Sequence, residues 1–528
     1  MKPTNQLVNP MLTDFYQITM AYAYWKAGVQ DEEAVFDLFF RKNPFAGEFA
    51  VYAGLEEKLR LLESFQFTDD HMSYLREQMP HVEKKFFDWL RQIDCSKLKV
   101  YALKEGTIAY PRVPLMRVQG PIAVAQLLET SILTLTNYAS LMTTNSAKYR
   151  LAVGFNKGLI EFGLRRAQGP DGGVSASRYS YMGGFDGTSN VLAGYLFGVP
   201  IRGTHAHSYV QSFTGMDDLR DPTLVGVDGT PHDFVNIVME IRGQLGYTHT
   251  NEGELASFIA YAQAFPKGFM ALVDTYDTIK SGVPNFVCVA LGLIKLGYKP
   301  IGVRLDSGDL SYLSKRTRRL LNEIGNRTDS GLSQCIILAS NEINRAVLTS
   351  LGQQGHEIDT FGIGTHLVTC DDQPAMGCVY KLVEAKGIPR IKLSQDLTKM
   401  TIPGKKEAYR LFSEDGHSLL DLMIRVGDKP PEPEKRVLCH HPFDHIKRVY
   451  VTPSKVLPLH HCVWNGKRTN PPVTLQECRE HVLNQLRSTR EDHLRDINPT
   501  PYKVSVSEEL YNYVYNLWTE ESPVTELK

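Results

Sequence analysis

Long apolar runs are missing from this sequence. No stretch approaches the ~18 consecutive apolar residues that a membrane-spanning helix needs. The opening MKPTNQLVNPMLTDFYQITM holds no continuous apolar segment of the kind a secretory leader carries. A membrane protein is not indicated, and the expected location is the cytosol. A surplus of one charge is missing too. The 58 Lys and Arg are matched by 59 Asp and Glu, so no basic footprint argues for nucleic acid or an anionic membrane surface, and the expected ligands are small molecules. Patterned cysteines are the third absence. Cys95, Cys288, Cys335, Cys370, Cys378, Cys439, Cys462 and Cys478 are scattered with no C-x-x-C pair, which speaks against a disulfide framework and predicts reduced thiols.

What is present fills two or three domains, as 528 residues allow. Thr13 and Asp14 read as an N-cap and a first-turn acid ahead of a helix over Phe15–Trp25, which carries Tyr16, Tyr22 and Tyr24. AVFDLFF at 34–40 predicts a buried strand, with further short strands at Lys97–Leu103 and Pro114–Val118. Gly120-Pro121 open an apolar stretch, Ile122–Val153, that predicts one long or two stacked buried helices. Past Lys381 the pattern changes. A strand at Arg390–Leu393, a basic turn at Thr401–Lys406, a linker or surface excursion at Pro430–Pro433 and a charged helix at Leu475–Arg487 predict a smaller accessory domain. Cys439-His440-His441, His445 and His460-His461-Cys462 have the residue types of a zinc site but fit no familiar ligand spacing.

The middle of the chain carries a recurrence. Phe269–Val273 ends in Asp274-Thr275, Ile301–Leu305 in Asp306-Ser307-Gly308-Asp309, Ile336–Ala339 in Ser340-Asn341, and Ile358–Ile363 in Gly364-Thr365. Amphipathic segments such as Asn285–Leu296 and Leu310–Ile324 follow the first three. This train of β-α units predicts a parallel β/α array, and in a barrel of that kind every strand end opens on one face. Asp274, Asp306, Asp309, Asn341 and Thr365 are therefore expected around one mouth, with Arg304 on the same side as Asp306. Gly362-Ile363-Gly364-Thr365 reads as a phosphate cradle and lacks the third glycine of a dinucleotide-binding turn. Asp306 and Asp309 can hold ribose hydroxyls or the waters of Mg²⁺, or only cap a turn.

GVPIRGTHAHSYVQS at 198–212 belongs to the same set. Read as a strand, Val199–Ile201 puts His205 and His207 on one face at its end. An imidazole beyond a Gly-Thr turn has a lone pair to offer near neutrality and is a candidate nucleophile; a core histidine and a metal pair are the competing readings. FGLRRAQGPDGGVSASRYSYMGGFDGTSN at 162–190 places Arg165 and Arg166 ahead of repeated glycines, and reads either as a loop that approaches phosphate or as a mobile surface loop.

Together these stretches resemble the nicotinate phosphoribosyltransferase family, in the long form of animals and some bacteria. The resemblance is carried by LTDFYQITMAY (12–22), GPIAVAQLLETSILTLTNYASL (120–141), GLRRAQGPDGG (163–173), GGFDGTSNVLAG (183–194), GTHAHS (203–208), VRLDSGDL (303–310) and GIGTHLVTC (362–370). It implies an α/β protein of the type II phosphoribosyltransferase fold. An α/β N-terminal domain is expected at 1–155, an irregular β/α barrel with the active site at 156–395, and a smaller C-terminal domain at 396–528, assembled as a homodimer with shared active sites. It further implies that nicotinate and 5-phosphoribosyl 1-pyrophosphate give nicotinate mononucleotide and pyrophosphate, with ATP as co-substrate and Mg²⁺ or Mn²⁺ as cofactor, in the first step of NAD salvage from nicotinic acid.

By the same resemblance His207 is the histidine phosphorylated by ATP, and Arg304 and Asp306 complete the catalytic set. Tyr16 stacks on the pyridine ring, Thr204 and Arg304 contact nicotinate, Arg165 contacts a further anion, Asp306 holds ribose hydroxyls, and Gly364 with Thr365 cradles the 5-phosphate. Asp274 is placed in the same substrate pocket, and His205, at a variable position, is a neighbour only. Relatives that take nicotinamide have an aspartate where Ser189 follows Gly187-Thr188. A carboxylate there would repel nicotinate, so its absence favours the acid substrate. The competing readings are a nicotinamide or other pyridine transferase and a catalytically silent relative.

Overall fold

The fold is that of a computed structural model in which residues 2–392 and 400–522 are described. The chain forms two compact units. One takes residues 1–147, 178–184 and 370–528, the other 148–177 and 185–369.

The second unit is built on a six-stranded parallel sheet. Its strands in chain order are β1 (Gly158–Glu161), β2 (Gly187–Thr188), β3 (Met270–Leu272), β4 (Gly302–Leu305), β5 (Ile336–Ser340) and β6 (Thr360–Ile363), and their spatial order is β3-β4-β5-β6-β1-β2. All five ladders are parallel. Apart from a few half-buried positions these strands are buried along their length, which is why they read as short apolar runs rather than as alternating ones. The helices used below are α1 (His207–Gln211), α2 (Glu252–Ala264), α3 (Val283–Lys295), α4 (Leu310–Thr328) and α5 (Arg345–Gln354). The β-α train expected from β3 onward is present.

The stretch after β2 departs from expectation. Val199–Ile201 is not a strand; only Ile201 pairs, in a single parallel bridge to Thr188. Gly198, at φ 69°, ends the helix Val191–Phe197, and Pro200 has no N–H to donate to a ladder. Leu272 N at the other edge of the sheet donates to His205 Nε2 (3.4 Å). Residues 201–205 therefore join the two sheet edges, and the array is an irregular barrel. The glycine-rich 162–190 segment is not a loop either. It contains a turn at Leu164–Arg166 and a helix over Gly169–Met182. The helix starts among glycines, one of which, Gly173, leaves room for Leu164. Its second half is buried from Ala176 to Met182, and burial outweighs weak local propensity.

The first unit holds two further six-stranded sheets. One orders 388–389, 378–385, 33–40, 116–121, 99–102 and 461–465, all antiparallel. The other orders 448–451, 437–440, 503–507, 418–425, 406–412 and 455–458, with one parallel ladder, between 418–425 and 503–507. In the latter, Arg410 grips Asp421 through two hydrogen bonds (2.8 and 2.9 Å), and Tyr502, stacked on Tyr110, donates to the same carboxylate (3.0 Å). The helix Phe15–Lys26 forms, but Asp14 is its N-cap residue by position only, since the carboxylate accepts instead from Thr130 Oγ1 (3.0 Å). Ile122–Leu127 and Glu129–Val153 are two consecutive helices. The strand expected at Arg390–Leu393 is Ile388–Pro389, and Leu393 lies outside the described residues. The basic turn does not put both lysines on the surface. Lys406 is buried, its Nζ bonded to Asp37 Oδ2 (2.8 Å) and to the Ile402 and Gly404 carbonyls. Cys439 and His440 lie in the strand 437–440, His461 and Cys462 in 461–465 of the other sheet, and all eight cysteines are free. No helix among the described residues is long and apolar enough to cross a membrane.

Candidate active site

Parallel strands deliver their C-terminal ends to one edge, and the polar residues cluster there. Arg304 is in β4 and Asp306 just beyond it. Arg304 Nη2 donates to Asp306 Oδ1 (2.9 Å), and Arg304 Nε donates to Ser340 Oγ at the end of β5 (2.8 Å). Ser340 Oγ in turn donates to Asp306 Oδ1. The guanidinium lies 5.3 Å from the centroid of Phe162, just past β1, a cation–π contact. Phe162 has space because position 362 in β6 is glycine: a Cβ there would stand 2.5 Å from the ring. Gly362 thus serves packing within the strand, and only Gly364 and Thr365 of the expected cradle lie beyond it, where Thr365 begins the short helix Thr365–Thr369.

The histidine turn meets the end of β3. Asp274 is 2% exposed at its side chain and uses both oxygens: Oδ1 is 3.2 Å from His207 Nε2, and Oδ2 accepts from Ser307 Oγ (2.5 Å). A carboxylate offers only acceptors, so Nε2 carries the imidazole proton and Nδ1 keeps the lone pair. His207 is 39% exposed at its side chain and opens α1. His205 and His207 do not share a strand face. His205 packs among Tyr209, Phe258 and Tyr261, with the ring of Tyr261 4.7 Å away. Burial pushes its imidazole down to about 4, the behaviour of a core histidine.

His207–Asp274–Ser307 and Arg304–Asp306–Ser340–Phe162 are therefore two networks joined through the backbone at Asp306-Ser307. Asp309 turns away to cap α4, accepting from Tyr312 N (2.9 Å). Asn341, at φ 131°, is exposed after β5. Arg165 is exposed in the turn after β1, and Thr204 is half-buried three residues before α1. Tyr16 belongs to the other unit, half-exposed on the helix Phe15–Lys26, where it lines a cavity of about 340 Å³ with Asp14, Thr130, Asn137 and Tyr138.

Sequence reading missed a buried acid behind the Arg165 turn. Glu161 closes β1 at 0% exposure and accepts from Ser177 Oγ (2.8 Å), Thr188 Oγ1 (2.5 Å) and Gly163 N. Burial pushes its carboxyl up against the pull of those donors. The one available signal was an acid ending the apolar run Gly158–Glu161. Among the described residues no group of three or more His, Cys, Asp or Glu stands close enough to hold a metal ion.

Residues 11–137 match the N-terminal domain of nicotinate phosphoribosyltransferase, and residues 405–514 match its C-terminal domain. The nicotinate phosphoribosyltransferase of Dictyostelium discoideum is 54% identical over 100% of this chain and 91% of its own length. The chain belongs to the nicotinate phosphoribosyltransferase family. Its human family relative is 44% identical over 97% of each chain. The crystal structure of human nicotinic acid phosphoribosyltransferase superposes with a TM-score of 0.85 at 41% identity, covering 96% of this chain and 99% of that one. A nicotinate-nucleotide pyrophosphorylase from Pyrococcus furiosus shares the fold at 20% identity, with a TM-score of 0.63 over 91% of this chain and 95% of its own. The type II phosphoribosyltransferase fold expected for this family is therefore present, with the polar cluster at the strand ends of its parallel array.

Proposed function

We propose that the chain is a nicotinate phosphoribosyltransferase in the full sense of its relatives' name: it converts nicotinate and 5-phosphoribosyl 1-pyrophosphate to nicotinate mononucleotide and pyrophosphate, and couples this to ATP hydrolysis through phosphohistidine at His207. The observation that carries the reading is the His207–Asp274 pair at the strand ends. Asp274 fixes the tautomer that leaves Nδ1 free to attack phosphorus, and it faces the positive charge that builds on the ring as the P–N bond forms. That bond is readily hydrolysed, so phosphorylation can favour a binding-competent state and then be discharged.

Transfer itself asks for cations at the departing pyrophosphate and at the ring carboxylate. Arg304, held by Asp306, Ser340 and Phe162, is the preorganised cation, with Thr204 as a further contact to nicotinate. Arg165 is an exposed anion contact on the Glu161-anchored turn. Gly364 and Thr365 take the 5-phosphate, Asp306 the ribose hydroxyls, and Asp274 completes the pocket. Tyr16 stacks on the pyridine ring from the second copy of a homodimer with shared sites. The residues present fit a Mg²⁺ or Mn²⁺ ion held mostly by phosphate oxygens and water; Asp306 would hold that ion or its waters, and among the described residues no group of three or more His, Cys, Asp or Glu offers a protein cage. When bound, the ion neutralises charge on the leaving pyrophosphate. The absence of an acid at Ser189 favours nicotinate over nicotinamide. Cytosolic NAD salvage from nicotinic acid is the setting in which these substrates meet.

Mapping of phosphohistidine after incubation with labelled ATP, together with nicotinate and nicotinamide assayed side by side, tests this reading. Label at His207 and a preference for nicotinate are expected. A chain that binds ligand but neither takes up label nor releases pyrophosphate would be a silent relative.

A further inference from the structure

The backbone that carries Asp274 is pinned by an acid that the proposed reaction does not use. Glu254 stands in the first turn of α2 at 0% exposure. Its Oε2 accepts from Ser281 Oγ (2.6 Å) and Asn285 Nδ2 (2.9 Å), and its Oε1 is buried without a partner. Ser281 lies in a wide turn, Thr278–Gly282, closed by Gly282 N donating to Asp277 O (2.9 Å); Asn285 lies in α3. Ser281 Oγ also accepts from Asn251 N (3.0 Å), and Asn285 Nδ2 donates to Asn251 O (3.0 Å), at the cap of α2. The wide turn packs straight onto the strand end that leads to Asp274: a Cβ on Gly282 would stand 1.9 Å from Val273 O.

The same face of α2, one and two turns further on, holds the histidine segment. Tyr209 OH donates to Ser257 O (3.2 Å), His205 packs on Phe258 and Tyr261, and a Cβ on Gly253 would stand 2.3 Å from Phe213 O. One helix therefore grips both partners of the His207–Asp274 pair, and Glu254 is its side-chain link to the Asp274 side.

The charged groups around this carboxyl are mostly of its own sign. Asp274, Asp277 and the exposed Lys280 come from the strand end and wide turn, Glu252 from its own helix, and His207, Asp217 and Asp218 from the histidine segment and the turn that follows it. Arg242, from the helix Phe234–Leu245, is committed to the carbonyls of Tyr247, Thr248 and Thr250. Burial is the main influence on Glu254; the Ser281 and Asn285 hydrogen bonds oppose it, Asp274 and Asp277 reinforce it, and the carboxyl is pushed up to about 7.

We propose that Glu254 is a positioning residue for the His207–Asp274 pair, acting in its protonated form as a neutral clamp between the start of α2 and the wide turn that carries Asp274. When Glu254 ionises, its proton leaves to solvent, and the new carboxylate faces Asp274 and Asp277, while the exposed Lys280 is already paired with Asp277 (3.8 Å). Like-charge repulsion then loosens the clamp. The inference rests on His207 being the phosphorylated residue.

The test is single-turnover phosphorylation of the full chain by labelled ATP, from about pH 6 to about pH 9, with Glu254→Ala and Glu254→Gln beside the unaltered protein. Glu254→Ala is expected to slow label uptake about tenfold or more with little change in the ATP concentration for half-maximal rate. Glu254→Gln, neutral at every pH, is expected to recover most of that loss and to lack the fall in rate that the unaltered protein shows as pH rises through 7. A glutamine variant as slow as alanine, or one whose pH profile superimposes on the unaltered protein's, overturns the proposal, and the glutamine profile decides the matter even if the alanine variant does not fold. Absence of label on the unaltered chain would overturn the reading of His207 instead, and this inference with it.

Discussion

Asp274→Asn isolates the electrostatic part of the site while keeping its shape. The side chain is 2% exposed and both oxygens are engaged, by His207 at 3.2 Å and Ser307 at 2.5 Å. An amide can keep one acceptor in place, but its NH₂ group meets either the Nε2–H of His207 or the hydroxyl of Ser307, and the negative charge facing the imidazole is gone. A hydrogen bond to a charged group contributes about 1.5–3 kcal/mol, which corresponds to about 10- to 150-fold in a rate. Acid-quenched single turnovers with labelled ATP should therefore show phosphohistidine forming slower by that factor. Ser307→Ala removes the other hydrogen bond to this charged group and is expected to cost up to about 1.5–3 kcal/mol as well. The two losses should not add, because both changes act on one carboxylate. Asp274→Asn phosphorylated within about twofold of the unaltered rate, below what one charge-assisted bond contributes, would refute the role given to this pair. Fully additive losses would refute their coupling.

Three other outcomes are expected. His207→Ala should abolish label uptake and ATP hydrolysis and severely weaken nicotinate use, with an unchanged circular dichroism spectrum; near-normal ATP hydrolysis would sink the assignment. His205→Ala should be a stability variant, since it leaves Leu272 N without its acceptor and a void among Tyr209, Phe258 and Tyr261. A loss of about 2–4 kcal/mol in chemical denaturation is expected, with label uptake per folded molecule reduced far less than in His207→Ala. Acid should destabilise the protein through its buried imidazoles. His205, His460 and His481 are each pushed down to about 4 by burial, below the ordinary value of 6.5, so the unfolded chain takes up protons first as pH falls. Their contribution is complete above pH ~6.5 and is lost toward pH ~4, on the order of 3 kcal/mol or less for each ring after discounting for residual exposure. Melting temperatures that stay flat across that window would contradict it.

Much of the site was legible because buried parallel strands advertise themselves. Met270–Leu272, Gly302–Leu305 and Ile336–Ser340 are apolar runs whose next polar residues sit at the common edge, so Asp274, Arg304 and Asp306 could be grouped from spacing alone. Val199–Ile201 misled because its composition is strand-like while Pro200 and the helix end at Gly198 prevent a ladder. The helix Gly169–Met182 was hidden by glycines that local propensity counts against it, whereas its stability comes from the buried half. Phe162 and Glu254 carried no readable mark, and Glu161 only that of an acid ending a short apolar run. Their significance depends on Gly362 leaving room for a ring, on Thr188 and Ser177 closing over a carboxyl, and on Ser281 and Asn285 meeting α2, contacts set by packing between distant segments.

The barrel wall is not uniform around its circumference. Five of its seams are backbone ladders, while the last is fastened by the lone Thr188–Ile201 bridge on one side and by an imidazole nitrogen on the other. A cylinder stitched in this way yields at the weak join first, and the weak join is the stave that bears His207. His207 follows that stave directly, whereas Arg304 and Asp306 stand on and just beyond a strand held by ladders on both sides.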